Sequence, residues 1–292
     1  MKTPIVSICC ITYNHASYIR ECLDGFLMQK TTFPIEILIF DDASIDHTQE
    51  IIKDFARKDT RIKTFLQIEN QWSKGKYGLI DWLFPRARGK YIALCEGDDY
   101  WTDPYKLQKQ VDFLEANPKM SAVVHPSKII NVLKKIESTT ERNLPVKLKY
   151  QHILSSRKFH TNSIVFKSEI MQNFITGVYS GDRAMYFLCM ANGPIGFINE
   201  IMSVYRVTGT GASSTLDYKK IKTDFKIIPW IKRIDPKFPA RDFRVYLYKT
   251  LYYVTYTNKS VIRFYYFMAL LFAIVLSKAY NIKDFYYYIK SR

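Results

Sequence analysis

Apolar residues near the start of this chain fall in short runs, and each run stops at a polar cluster. Ile5 to Ile11 is apolar except for Ser7 and ends at Thr12-Tyr13-Asn14-His15. Ile35 to Phe40 ends at Asp41-Asp42-Ala43-Ser44-Ile45-Asp46, and Tyr91 to Cys95 ends at Glu96-Gly97-Asp98-Asp99. Such runs predict strands buried on both faces. Between the first two, Tyr18, Cys22 and Phe26 recur with Ile19, Leu23 and Leu27 at helical spacing, predicting a helix over Ser17 to Gln29. After the second run, Asp46 is a candidate helix cap with Gln49 at the third position of a capping box. Ile51, Ile52 and Phe55 form that helix's inner face.

Arg61 to Ile68 reads as a third strand. Gly75 to Arg88 reads as a poorer helix, interrupted by Gly78 and Pro85. Pro104 to Asn117 predicts a helix, with Pro104 in its first turn, Pro118 beyond its end and Leu107, Val111 and Leu114 on its face. Strands follow at Ala122 to His125, Ser163 to Phe166, Ile195 to Ile198 and Met202 to Tyr205. The polar, Lys-rich stretch Leu133 to Tyr150 reads as a surface loop, and Asp182 opens a helix to Met190.

Alternation of strand and helix over the first hundred or so residues argues for an α/β fold, a mostly parallel sheet with flanking helices. Ligands of such sheets bind outside the carboxyl ends of the strands. That rule places Asp41, Asp42, Glu96, Asp98 and Asp99 around one cleft. Crowded carboxylates repel unless positive charge sits between them, and a hard divalent cation bound to phosphate oxygens is the natural partner. The plainer reading is a polar loop of solvated acids.

At 292 residues and 48% apolar, the chain suits one large domain, or a domain with an appendage. The formal charge of +16 points to an anionic partner: phosphate, nucleic acid or acidic lipid. Leu216 to Arg292 holds 16 Lys and Arg against 5 Asp and Glu, so +11 of the +16 sits there. No recognition helix or aromatic RNA motif accompanies the charge, which argues against nucleic acid. The five cysteines are odd in number and form no C-x-x-C pair; buried thiols in a reducing cytosol are the simplest account. The N-terminus shows no apolar signal core. Phe264 to Leu276 is 13 uncharged residues, whereas a spanning helix needs about 20. A buried or in-plane helix is expected.

Together the motifs resemble those of bacterial family-2 glycosyltransferases with the GT-A fold, builders of capsule, O-antigen and other surface polysaccharides. The matching stretches are Val6 to Asn14, Phe40 to Thr48 and Gly89 to Asp99. Trp101, Pro104, Lys106-Leu107, Ser180-Gly181-Asp182 and Tyr205-Arg206 continue the match, over roughly residues 3 to 214. The resemblance implies a GT-A domain over 1–214 and a basic, aromatic, helical C-terminal region over 215–292. It implies a nucleotide-sugar donor, usually a UDP-sugar, Mn²⁺ or Mg²⁺, and an inverting transfer. It places Thr12, Tyr13, Asn14, Asp41, Asp42, Glu96 and Asp98 on the nucleotide sugar, Asp98 and Asp99 on the metal, and Asp182 as catalytic base. Asp182 also fits a helix cap. Trp101 and His160 are candidates for sugar or acceptor contact, and Trp101 equally suits a cover over the sheet rim. His125, His152 and His160 lack metal-ligand spacing. Glu96 stands where Asp is more usual, Ile80-Asp81 where many relatives have Arg-Asn, and Thr208 near where many have His. The family commonly acts on glycan or lipid-linked glycan acceptors at the cytoplasmic face of the inner membrane, and the basic tail suits an anionic surface there. The alternatives are an inactive nucleotide-sugar- or glycan-binding module and a basic nucleic-acid-binding protein.

Overall fold

The structure, a computed structural model, describes residues 3–154, 158–209, 217–255 and 260–276. The chain forms two compact units. One comprises Met1–Lys149, Arg157–Phe174 and Asn192–Gly211, the other Tyr150–Ser156, Ile175–Ala191 and Ala212–Arg292. The expected boundary at 214 lies outside the described residues; the segment around Asp182 groups with the C-terminal helices.

The first unit is built on a seven-stranded sheet. The apolar runs become β1 (Val6–Thr12), β2 (Ile35–Asp41) and β4 (Tyr91–Leu94), with β3 at Ile62–Leu66. β6 (Ala122–Val124), β9 (Val165–Lys167) and β10 (Ile195–Phe197) complete it, in the order β10-β6-β9-β4-β1-β2-β3. All pairings are parallel except those of β9, which runs antiparallel to β4 and β6. The chain steps from β1 to β2 and β3 on one side, then returns to place β4 on the other side of β1. The β1–β4 junction is therefore a topological switch point.

One face of the sheet, including Val6, Ile8, Cys10, Ile37 and Ile39, packs on α1 (Ile19–Leu27), α2 (Thr48–Lys58) and α3 (Lys106–Ala116). The helix expected at Gly75 to Arg88 is instead a π-helical turn, Gly78–Leu83, running into a 3₁₀ turn, Phe84–Arg86. The two residues that interrupt the pattern explain the change. A Cβ on Gly78 would lie 2.5 Å from the Phe40 ring, so the backbone approaches the sheet closely there. Pro85 has no N–H for a regular helical bond.

A second sheet has the order β5-β11-β7-β8, from β5 (Tyr100–Trp101), β7 (Lys128–Asn131), β8 (Ile136–Thr139) and β11 (Ser203–Val207). The β7–β8 hairpin takes up part of the stretch expected to be a loop. Every residue of β8 is exposed, so no apolar alternation marks it, and the turn places Lys135 at φ 54°.

The second unit holds α4 (Gly181–Asn192), α5 (Tyr218–Lys222), α6 (Ile227–Ile234), α7 (Ala240–Val254) and α8 (Ser260–Leu276). Phe187 of α4 lies edge-on to Phe238 and Phe243, with ring centroids 5.0 and 4.9 Å away, which ties α4 to this unit. Among the described residues no helix is long and apolar enough to cross a membrane.

Candidate active site

The expected residues Thr12, Tyr13, Asn14, Asp41, Asp42, Glu96, Asp98 and Asp99 follow the carboxyl ends of β1, β2 and β4, at the switch point. The turn after β1 is stapled to the turn after β2. Asn14, at φ 55°, donates its N–H to Ser44 Oγ at 2.8 Å and accepts from the N–H of Ile45 at 2.9 Å. His15 N–H donates to Thr48 Oγ1 (2.8 Å) and Ala16 N–H to Asp46 Oδ2 (3.0 Å). Asp46 Oδ1 accepts from the N–H of Thr48 at 3.0 Å, but the N-cap of α2 is His47, without a side-chain cap bond, so Asp46 stands one residue ahead of the cap expected of it. Gln49 does not complete a capping box; its amide donates to Asp41 Oδ1 at 2.6 Å and to the carbonyl of Gln67 at 2.9 Å.

The adjacent acids of β2 both hold turns. Buried Asp41 accepts from the N–H and hydroxyl of Ser44 as well as from Gln49. Asp42 accepts from the N–H groups of Gln71 (2.6 Å) and Trp72 (3.2 Å), fixing the loop that leaves β3. Tyr13 is exposed beside them.

The acid loop after β4 separates its three carboxylates. Glu96 accepts from the Thr161 hydroxyl at 2.7 and 2.8 Å. Asp98 is partly buried and faces His15, its Oδ2 3.8 Å from Nε2. Asp99 is 1% exposed and turned inward. It accepts from the Arg206 N–H (2.8 Å) and the Asn162 side-chain amide (3.0 Å). Burial, with Glu96 and Asp98 close by, holds its pKa well above the usual carboxylate range, against those two hydrogen bonds. Both Asp99 oxygens accept from the scaffold, while the Asp98 carboxylate faces His15.

Gly97 lets this loop close on β1. A Cβ there would meet Thr12 Oγ1 at 2.7 Å and His15 Nδ1 at 3.0 Å. Those two buried atoms make no hydrogen bond within the protein, and polar groups left so are costly unless a ligand or water satisfies them. Burial lowers the His15 pKa, with Asp98, Asp46 and Asp41 opposing it, which favours a neutral imidazole.

Arg206 clamps the loop. Its Nη1 donates to the Asp98 carbonyl at 2.8 Å, its guanidinium pairs with Glu21, and it lies 4.3 Å over the Tyr100 ring. Asn162 joins Asp99, Val204, Ser127 and Ser203 in one buried network. His15, Thr161, Asn162 and the clamping role of Arg206 escaped sequence reasoning. Only His15 and Arg206 carried a signal, since both lie in the matching stretches or beside them.

Neither acceptor candidate is open. Trp101 is buried: its Nε1 donates to the Asn162 carbonyl at 2.8 Å and its ring meets Phe26 edge-on, so it covers the sheet rim and offers no stacking face to a sugar. His160 is buried and stacked on Tyr205 with centroids 3.7 Å apart.

Under Trp101 lies Lys106, fully buried, its Nζ 4.0 Å from the ring centroid and donating to Gln110 Oε1 at 2.7 Å. Burial lowers its pKa to about 7, against the pull of Cys95 and Asp103. The unfolded chain keeps that proton up to about pH 10.4. Between pH ~7 and ~10.4 the unfolded state thus binds more protons, and stability rises with pH. Lys106→Met is expected to flatten this rise in thermal midpoint and to be the more stable protein at pH 6–7. Parallel pH–midpoint curves for the two proteins would contradict this.

In the second unit, Asp182 sits in the first turn of α4, its Oδ1 accepting from the Arg183 N–H at 2.7 Å. Buried Asp224 fixes the preceding turn by accepting from the N–H groups of Tyr179 (2.8 Å) and Ser180 (2.9 Å). Arg183 donates to the carbonyls of Ile153 and Leu154 and to the Tyr246 hydroxyl.

Among the described residues no group of three or more His, Cys, Asp or Glu forms a ready metal cage. Mg²⁺ and similar hard cations need less where a substrate diphosphate completes the shell: one or two carboxylates suffice. Asp98, beside the neutral His15 and the unsatisfied Thr12 hydroxyl, fits that sparse kind of site.

Residues 7–185 match the family model described as Glycosyl transferase family 2. An uncharacterised Mycobacterium tuberculosis protein is 36% identical over 207 residues, 69% of this chain and 58% of that one, so the chain spans under two thirds of that relative's length. Escherichia coli WfaP, named a UDP-Glc:alpha-D-GlcNAc-diphosphoundecaprenol beta-1,3-glucosyltransferase, is 38% identical over 111 residues, 38% of this chain and 41% of that one. The solved structure of the mannosyltransferase PcManGT from Pyrobaculum calidifontis, in complex with GDP-Man and Mn²⁺, superposes with a TM-score of 0.58 at 19% identity, covering 96% of this chain and 77% of that one. The architecture in common is the GT-A fold.

Proposed function

This chain belongs to glycosyl transferase family 2, and from that premise we propose that it moves one sugar from a UDP-sugar to a lipid-linked glycan, with inversion and with Mn²⁺ or Mg²⁺. The observation that carries the reading is the acid loop at the switch point, where the Asp98 carboxylate faces His15 while Asp99 and Arg206 hold the loop from behind.

Thr12, Tyr13 and Asn14 line the nucleotide pocket, with Asp42 at its side. Asp41 acts as a positioning residue, since Ser44 and Gln49 occupy its oxygens. Asp98 would hold the metal against the donor diphosphate, and Glu96 supports the loop through Thr161. When bound, the cation supplies Lewis-acid neutralisation of the leaving diphosphate. Asp182, the base implied by the family match, takes the proton of the attacking acceptor hydroxyl. In-line attack on an α-linked donor gives a β-glycoside, in keeping with the beta linkage in the WfaP name. That name also pairs a UDP-sugar with a diphosphoundecaprenol-linked acceptor, and the PcManGT complex pairs a nucleotide sugar with Mn²⁺. The +11 carried by Leu216–Arg292 suits attachment to an anionic membrane, where such an acceptor resides.

A panel of UDP- and GDP-sugars, scored for acceptor-stimulated nucleotide release with Mn²⁺, Mg²⁺ or chelator, tests the reading. Release from one UDP-sugar, lost in chelator, is expected. Tight UDP-sugar binding with no release for any lipid-linked or free glycan acceptor would make the chain a binding module instead.

A further inference from the structure

We propose that the uncovered face of α8 is an insertion surface for the headgroup layer of an anionic membrane. The inference rests on the membrane attachment proposed above, and it adds an apolar component that salt does not screen. From Phe264 to Leu276 the helix carries no charged residue. One side is packed: Tyr266, Leu270 and Ile274 are buried, the first in a cluster with Leu251 and the other two with Val245. The other side is bare, with Phe264 63%, Tyr265 62%, Met268 48% and Phe272 69% exposed. Phe264, Met268 and Phe272 recur every four residues, so they form one ridge. Single exposed apolar residues need no explanation, but a contiguous aromatic ridge on a helix without a polar face does.

The charge of the neighbouring helix selects lipid. Lys219 and Lys220 of α5 are exposed, while Lys222 of the same helix, 5.8 Å from the Tyr266 ring centroid, and Arg263, donating to the Tyr252 hydroxyl at 3.0 Å, serve the packed side of α8. A basic helix packed beside a helix that leaves an apolar ridge open matches the headgroup layer: acidic lipid heads meet the ammonium groups, and exposed Tyr265 suits the boundary. A second copy of this chain would instead bring two regions of +11 together. α8 has 17 residues, against the roughly 20 that spanning requires, so it lies in the plane of the surface.

The test is flotation of the full chain with phosphatidylcholine vesicles, with and without phosphatidylglycerol, at about 0.1 M and about 1 M salt. The wild type is expected to float with the anionic vesicles and to retain part of that binding in high salt. Phe264→Ser/Phe272→Ser should float at least tenfold less in high salt, while keeping the wild-type affinity for UDP. Met268→Trp should add a blue-shifted emission component with anionic vesicles, and this arm decides the matter if the double variant does not fold. Equal flotation of wild type and double variant, lost together in high salt, would overturn the ridge and leave purely electrostatic attachment. No flotation at either salt would overturn the membrane reading as well. A double variant that turns a lipid-free dimer into a monomer would show that a second copy covers the face.

Discussion

Asp98→Asn is expected to lower sugar transfer roughly 10³-fold, the usual scale for losing one group that stabilises developing charge. It is also expected to leave the thermal midpoint unchanged or slightly raised. The two effects have one cause. Three carboxylates follow β4 within four residues, and Glu96 and Asp98 both raise the cost of ionising buried Asp99. Asp98 makes few compensating contacts, its carboxylate lying 3.8 Å from a His15 whose pKa is lowered. Removing its charge relieves Asp99 of one repulsive neighbour in the empty protein and, on the reading proposed above, would remove the cation contact in the loaded one. Calorimetry should then show a wild-type UDP affinity that strengthens with Mn²⁺ and a variant affinity indifferent to it. Asp99→Ala is the contrasting control. It strands the Arg206 N–H and the Asn162 amide inside the protein, and should cost about 1–3 kcal/mol of stability. An Asp98→Asn enzyme with near-wild-type, still Mn²⁺-dependent turnover would remove Asp98 from the metal site.

What separates Asp98 from Asp99 is not visible in their own stretch of sequence. Two neighbouring, identical side chains have different surroundings because Asn162 and Arg206, distant in the chain, arrive behind one of them. Asp41 and Asp42 repeat the lesson, since Gln49, Gln71 and Trp72 decide where their oxygens point. The strands that carry these acids were legible for a local reason. A parallel strand covered on both faces must be apolar along its length, so β1, β2 and β4 stand out in any window. β8 carries no such mark, because it is exposed along its length and its pairing with β7 is the only thing that makes it a strand. Trp101 was readable either way; its burial follows from Phe26 on α1 and the Asn162 carbonyl. Gly97 was readable as a turn residue, but the need for glycine comes from Thr12 and His15, which approach from β1.

Asp182→Asn is expected to lower kcat by roughly 10²–10⁴, the range for loss of a general base, with the KM for donor little changed. The substitution is chosen to leave the local structure standing. The amide oxygen of Asn can accept the Arg183 N–H as Asp182 Oδ1 does. The turn before it is held independently by Asp224, and Arg183 is held by the Ile153 and Leu154 carbonyls and by Tyr246. A role confined to capping α4 would therefore be largely preserved in Asn, among the best capping residues, and stability should move by only a few tenths of a kcal/mol. A role in catalysis would not be preserved, because an amide cannot take a proton from an acceptor hydroxyl. If Asp182 is only a cap, kcat persists in the variant. Donor binding by calorimetry should match the wild type in either case, so a variant with normal UDP affinity, normal midpoint and near-normal kcat on the true acceptor would place the base elsewhere in the protein.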